Sequence, residues 1–185
     1  MHSWNGIECA TLLPCYHLLV VSTYTIMHKQ QLVADIVAAL QEKLVIAHSS
    51  TQTAIDAATD DQTVSEHKYD TLALEAAYLA HGQAMRVQEC ERELSLMRNL
   101  TLRSFVDSAI AVGAYVEVED EQEVSKHFFI APCAGGLEVE SQQQSVYLLT
   151  VLSPLGKALK GKFEGDEVVV KIGDKAKTYQ VVTVS

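Results

Sequence analysis

Apolar positions recur in steps of four and three from Val33 onward, through Val37, Leu40, Leu44, Ala47, Thr51, Ala54 and Ala58. That spacing keeps one stripe of a helix turned toward a partner helix. No Gly or Pro stands between Met27 and Ala58, so nothing interrupts the helix. A second seam runs through Tyr69, Ala73, Ala76, Ala80, Gln83, Val87, Cys90, Leu94 and Met97. Gln83 is its polar member, and Gly82 beside it weakens the helix locally. In both seams the large residues lie at the outer ends and the small ones beside the connection. Folding back sets large against large and small against small. The pattern predicts an antiparallel helical hairpin, narrow at its tip, whose first arm is about 39 Å long.

The connection between the seams reads "TDDQTVSEHKYDT", Thr59 to Thr71. Thr63 followed three residues later by Glu66 is a capping-box pattern, which predicts a second helix starting near Val64. Asp60 and Asp61 then occupy the turn at the far end of the arm. Asp56 and Asp70 flank them, and Lys68 is the fixed positive charge in this stretch.

Arg98 to Ala109 loses the seam and reads as exit and linker. Beyond it the period changes to two. "VGAYVEVE", "VSKHFFIA", "LEVE" and "SVYLLTVL" read as strands, with a charged turn at Asp120 to Glu123. "EVVVKIGDKAKTYQVVTV" reads as a hairpin around Gly173 and Asp174. Between these strands lies "SPLGKALKGKFEGD". Ser153 suits an N-cap and Pro154 the first helical position. Leu155, Ala158 and Leu159 share one face that would seal the end of the sheet. Gly161 stops the helix, and Gly165-Asp166 turns the chain into the next strand. The expected fold class is α+β. Residues 27–103 form the coiled-coil hairpin and 104–185 a small, mostly antiparallel β domain with one short helix.

Composition narrows the function. The chain has 185 residues and a formal net charge of −10, so a basic surface for direct contact with nucleic acid is not expected. Cys9, Cys15, Cys90 and Cys133 form no C-x-x-C pair, and they read as free thiols in a reducing compartment. The apolar stretch "LLPCYHLLVVSTYTI" is broken by Pro14, His17, Ser22, Thr23 and Thr25. It is too interrupted for a membrane span, and it lacks the basic flank and cleavage site of a secretory signal. Residues 1–26 are therefore read as an over-extended reading frame, a leader that is not native, with Met27 as the natural start. A poorly ordered or weakly anchoring tail is the rival reading.

"SPLGKALKGKFEGDEVVVKIGDKAKTYQVVTV" resembles the C-terminal signature of Gre-type bacterial transcription elongation factors. The shared features are the Ser-Pro, the short "ALxGK" turn, the Gly-Asp-x-Val corner, and a last strand with a Tyr and alternating branched residues. An N-terminal helical hairpin followed by an FKBP-like β domain also agrees with that family. The resemblance implies a cytoplasmic, monomeric protein that binds RNA polymerase and meets nucleic acid only within the elongation complex. The β domain would dock on the polymerase rim, through Ser153, Pro154, Leu155 and Gly156. The hairpin would enter the secondary channel. There Asp60, Asp61 and Glu66 would help hold a Mg²⁺ shared with the polymerase, so that backtracked RNA is cleaved. Carboxylates are the hard oxygen ligands that such two-metal chemistry uses. The chain would have no cofactor of its own and no enzymatic activity alone; at most it would activate the polymerase's hydrolysis.

The sequence departs from the family at the tip. The family pairs an Asp with a Glu three residues later, followed by Asn. Here Thr63 stands three before Glu66, and His67 follows it. Two alternatives therefore stay open: a secondary-channel regulator that binds without cleavage, and a coiled-coil adaptor unrelated to transcription. Other chemistry is less supported. Glu66-His67 has nothing visible to orient it as an acid–base pair. The seven histidines show no H-x-x-x-H spacing. Gly135-Gly136 is a lone pair in a loop. Arg86, Arg92, Arg98 and Arg103 alternate with Glu89, Glu91 and Glu93, as on a solvated face. Prolyl isomerase activity needs an aromatic-lined apolar pocket, and Phe128, Phe129, Phe163 and a few tyrosines supply little of one.

Overall fold

The computed structural model describes residues 27–59, 71–173 and 175–185. Two long helices come first: α1 spans Lys29–Thr59 and α2 spans Thr71–Arg98. They pack along each other as the seams predict. Leu40, Ala47 and Ala54 are buried from α1, and Val87, Cys90, Leu94 and Met97 from α2. Toward the tip, Thr51, Ala76 and Ala80 are only half-buried. Small side chains there leave a thin contact. Lys43 Nζ bonds Glu93 Oε2 at 2.8 Å and ties the helices near their base.

The base of α1 serves two neighbours. Leu32 and Ile36 are the most deeply buried residues there, while Val33 and Val37 of the expected seam are only partly buried. Leu32, Ile36 and Leu40 share a core with Leu94 and Met97, and with Phe129, Val146 and Leu148 of the sheet. The helix turns its widest apolar residues toward the sheet as well as toward α2. A seam drawn for one partner misses Leu32 and Ile36.

Six strands follow: β1 (Tyr115–Asp120), β2 (Ser125–Ala131), β3 (Glu138–Ser141), β4 (Gln144–Thr150), β5 (Glu167–Ile172) and β6 (Lys175–Val184). The short helix α3 (Pro154–Leu159) lies between β4 and β5. The order across the sheet is β3-β4-β2-β1-β6-β5. All pairs are antiparallel except β2 with β4, which run parallel. The parallel pair arises because the chain leaves β2, forms β3 at the sheet edge, and returns inside it as β4. Strand periodicity carries no information on that direction.

The sheet is covered on both faces, and the period of two sorts its side chains. Phe128 and Ile130 join the core on the α3 face, with Val116, Val118, Leu159, Val168 and Val181. Tyr115, Phe129 and Ala131 point the other way, into the core under the hairpin. Asp35 and Gln142 reinforce this second junction: Ser141 Oγ donates to Asp35 Oδ2 at 2.6 Å, and His28 N donates to Gln142 Oε1 at 3.1 Å.

Candidate functional site: the arm and the α3 corner

The residues expected to carry chemistry, Asp60, Asp61 and Glu66, lie outside the described residues, as does the expected helix start at Val64. So do residues 1–26. The described part of α1 sets how far the helix extends from the sheet. From Leu32, buried at the sheet, to Thr59 at the end of α1, the helix rises about 40 Å. Its last carboxylate within the described residues, Asp56, is exposed and accepts from Gln52 Nε2 at 2.7 Å. Among the described residues no group of three or more His, Cys, Asp or Glu side chains is placed to hold a metal ion.

The α3 corner forms for the reasons its sequence suggests. Ser153 caps the helix: Gly156 N donates to its Oγ at 3.1 Å, and that hydroxyl donates to Thr150 O at 2.8 Å. Pro154 takes the first helical position. Leu159 is fully buried, and Leu155 and Ala158 pack partly against the same core. Gly161, with φ +81°, ends the helix and donates to Ile110 O at 2.9 Å. In the following corner Phe163 N donates to Asp166 Oδ2 at 2.9 Å. The four residues expected to meet a partner are thus adjacent but unlike. Pro154 is exposed, Ser153 and Leu155 are half-buried, and Gly156 is buried. A Cβ at Gly156 would lie 2.1 Å from Thr150 O, so this glycine is required by packing. Beside them, Leu152 is 76% exposed and Phe163 48% exposed, which gives the corner an apolar outer surface.

Two features were not anticipated. Tyr115 is buried, yet its hydroxyl meets His127 Nδ1 at 2.9 Å and donates to Gln144 Oε1 at 3.2 Å. Burial, with Glu117 adding to it, pushes the phenol up to about 12. The network satisfies a polar group inside the core and ties β1, β2 and β4 together. Nothing in a single sequence pairs Tyr115 with Gln144, because strand register decides it. The second feature is Arg103. It does not continue the mixed face of α2 but stacks in the linker on Phe105, its Cζ 4.6 Å from the ring centroid. The cysteines within the described residues are free: Cys90 is buried, and Cys133 is half-buried with its thiol pushed up by burial and by nearby Glu93.

An α+β chain with a long helical hairpin rooted on a mixed sheet, and with this capped α3 corner, defines a two-part class of protein: an arm and a β body. Residues 106–185 match the family described as "Transcription elongation factor, GreA/GreB, C-term". The chain is 29% identical over 123 residues to a transcription elongation factor GreA of Syntrophus aciditrophicus, covering 65% of this chain and 70% of that protein. It is 29% identical over 149 residues to a GreA of Desulfovibrio desulfuricans, covering 80% and 88%. Other GreA relatives are matched over 58% to 60% of their own length. Among solved structures, GreA factor homolog 1 of Thermus thermophilus aligns over 80% of this chain and 94% of its own, at 21% identity and a TM-score of 0.34. The chain is thus similar to Gre-type transcription elongation factors, and its residues 106–185 match the C-terminal domain of that family.

Among the described residues no helix is long and apolar enough to cross a membrane.

Proposed function

We propose that this chain binds bacterial RNA polymerase as an elongation factor. The body docks on the polymerase and the arm enters the secondary channel. The observation that carries this reading is the union of two parts: a GreA/GreB-type C-terminal domain, and a helical arm whose root is packed into that domain's own core. An arm reaching about 40 Å would let its tip act far from the body. The α3 corner, with Pro154 and Leu152 exposed and Leu155 partly so, is the proposed docking surface. Gly156 serves it from below by shaping the turn.

At the tip, Asp60, Asp61 and Glu66 are the proposed active groups. Carboxylates are the ligand type that Mg²⁺ takes, so they suit a metal shared with the polymerase. The chain supplies oxygen donors and position, and the scissile site belongs to the polymerase. A second reading rests on a specific observation: Thr63 stands where the family's tip has its first acid. On that reading the protein occupies the channel without stimulating cleavage.

A stalled, backtracked elongation complex separates the two. Adding the protein should release short 3′ RNA fragments, and Asp60→Ala with Asp61→Ala should abolish them while binding persists. Binding without fragments supports the second reading. No binding to core polymerase removes both.

A further inference from the structure

The side of α2 turned away from α1 carries a second apolar stripe. Leu74, Tyr78, Met85 and Leu96 stand on it, each between 44% and 69% exposed. The steps between them are 4, 7 and 11 residues, close to one, two and three helical turns, so they share one side of the helix. The buried seam of Val87, Cys90, Leu94 and Met97 occupies the opposite side. Exposed His81, Glu89 and Arg92 complete the outer stripe between Tyr78 and Leu96. An open groove of about 590 Å³ runs along it, lined by Gly82, Met85, Arg86, Gln88, Glu89 and Arg92. A Cβ added to Gly82 would meet nothing within 4 Å, so the groove has room there.

A helix that packs only against α1 needs one apolar face, and α2 has two. The order of residues along the outer stripe says what covers it. Lay a second copy of α2 antiparallel on the first, with a twofold axis at Met85. Leu74 then faces Leu96 of the second copy. Tyr78 faces Arg92, which sets a guanidinium on an aromatic ring. His81 faces Glu89, a ring N–H to a carboxylate. Met85 faces Met85. A twofold interface requires each of these pairs to occur twice, once from either side, and in this register all of them are complementary. Gly82, Met85, Arg86 and Glu89 are spaced i, i+3, i+4 and i+7, the four positions that frame a hole for a knob from a facing helix. The knob is the second copy's Met85, whose flexible thioether fills the space that Gly82 leaves. Glu89 and Arg92 take part in neither ion pair among the described residues, Lys43–Glu93 and Lys126–Asp120. The net charge of −10 opposes the pairing of two chains, but along this face Arg86 and Arg92 offset Glu89.

The geometry points to a twofold dimer of this chain, formed through the outer face of α2 with its axis at Met85. The partner is a second copy, which departs from the monomer that the family resemblance implies. The stripe from Leu74 to Leu96 is about 33 Å long, so in the dimer each tip lies beside the other copy's root. The inference does not rest on polymerase binding, but it bears on it. Pairing covers the outer face of both arms, and an arm is free to enter a channel only after the dimer dissociates. Because association follows mass action, the supply of free arms is then set by protein concentration.

The test is sedimentation velocity of the full chain over about a hundredfold range of concentration. A monomer–dimer equilibrium is expected. Met85→Glu places two like charges on the axis and should weaken it by about tenfold or more. Glu89→Lys should weaken it as well, and adding His81→Glu to that variant should restore it, because the swapped pair attracts again. Met85, Glu89 and His81 are exposed, so these variants should keep the circular dichroism of the wild type. Oxidation of Met85→Cys should link two chains through residue 85, located by mass spectrometry. Leu74→Cys should not link to itself, since its two copies would lie about 33 Å apart. A monomer at every concentration would overturn the assignment and leave the stripe to another occupant. A dimer indifferent to Met85→Glu, or one linked through residue 74 as readily as through 85, would overturn it too.

Discussion

Gly156 sits directly beneath the carbonyl of Thr150: a Cβ on it would come 2.1 Å from that oxygen. The contact is backbone to side chain, so no rotamer change relieves it. Gly156→Ala must push α3 away from the end of β4 or break the Ser153 cap. The expected loss is about 3 kcal/mol, at the upper end for overpacking a tight site. Urea unfolding of the two proteins measures it. Ser153→Ala removes the cap alone and should cost about 1 kcal/mol. On the proposed function both changes weaken polymerase binding by disturbing the corner.

Ile36 marks the joint between arm and body. It is fully buried and belongs to the core that contains Phe129, Val146 and Leu148. Ile36→Ala should cost about 3 kcal/mol, in the ordinary range for deleting a buried aliphatic side chain. Val45→Ala, at a position 67% exposed on the same helix, should change stability by less than about 0.5 kcal/mol. Hydrogen exchange of the Ile36 variant should rise at the root of α1 and in β4 together.

The ion pair between Lys43 and Glu93 is uneven in exposure, with the lysine side chain 33% exposed and the glutamate 11%. Lys43→Met would leave the glutamate largely desolvated without its partner. The expected cost is about 1 kcal/mol, discounted because water still reaches the lysine. The double variant Lys43→Met with Glu93→Gln should recover part of that loss. Thermal unfolding of the four proteins in a double-mutant cycle decides it.

Tyr115 makes stability depend on pH in the alkaline range. Its phenol is pushed up to about 12 in the folded protein. The unfolded chain gives up the proton near pH 10, while the folded chain keeps it. Between these values the unfolded state binds fewer protons, so stability falls as pH rises. The contribution is fully present below about pH 10, and about 2 kcal/mol is lost by about pH 12. Tyr115→Phe should be less stable at neutral pH by about 1 kcal/mol, because His127 and Gln144 lose a partner. It should also show a shallower decline between about pH 9 and about pH 11.5. Urea midpoints at those two pH values check both parts.

Much of this architecture is legible in the chain. Seam periodicity locates both helices, the period of two locates every strand, and Ser153-Pro154, Gly161 and Gly165 punctuate the corner because cap and turn chemistry is local. What is not legible depends on partners far apart in the chain. Leu32 and Ile36 look like flanking residues until the sheet gives them a second neighbour. The parallel pairing of β2 with β4 follows from an edge excursion that no strand pattern records. Gly156 reads as one more small residue in a turn until Thr150 approaches it. Arg103 reads as part of a mixed charged face until the linker lays it on Phe105. For the tip, residue type speaks for metal-binding chemistry, but spacing departs from the family at Thr63, and pattern alone does not resolve that conflict.

On the proposed function, the arm of this protein reaches the polymerase active centre. A photo-crosslinking residue in place of Thr59, at the outer end of α1, tests it in a backtracked elongation complex. Crosslinks to the extruded 3′ end of the RNA, or to polymerase segments lining the secondary channel, are the predicted result. Stable binding to polymerase with no crosslink to either would contradict the account.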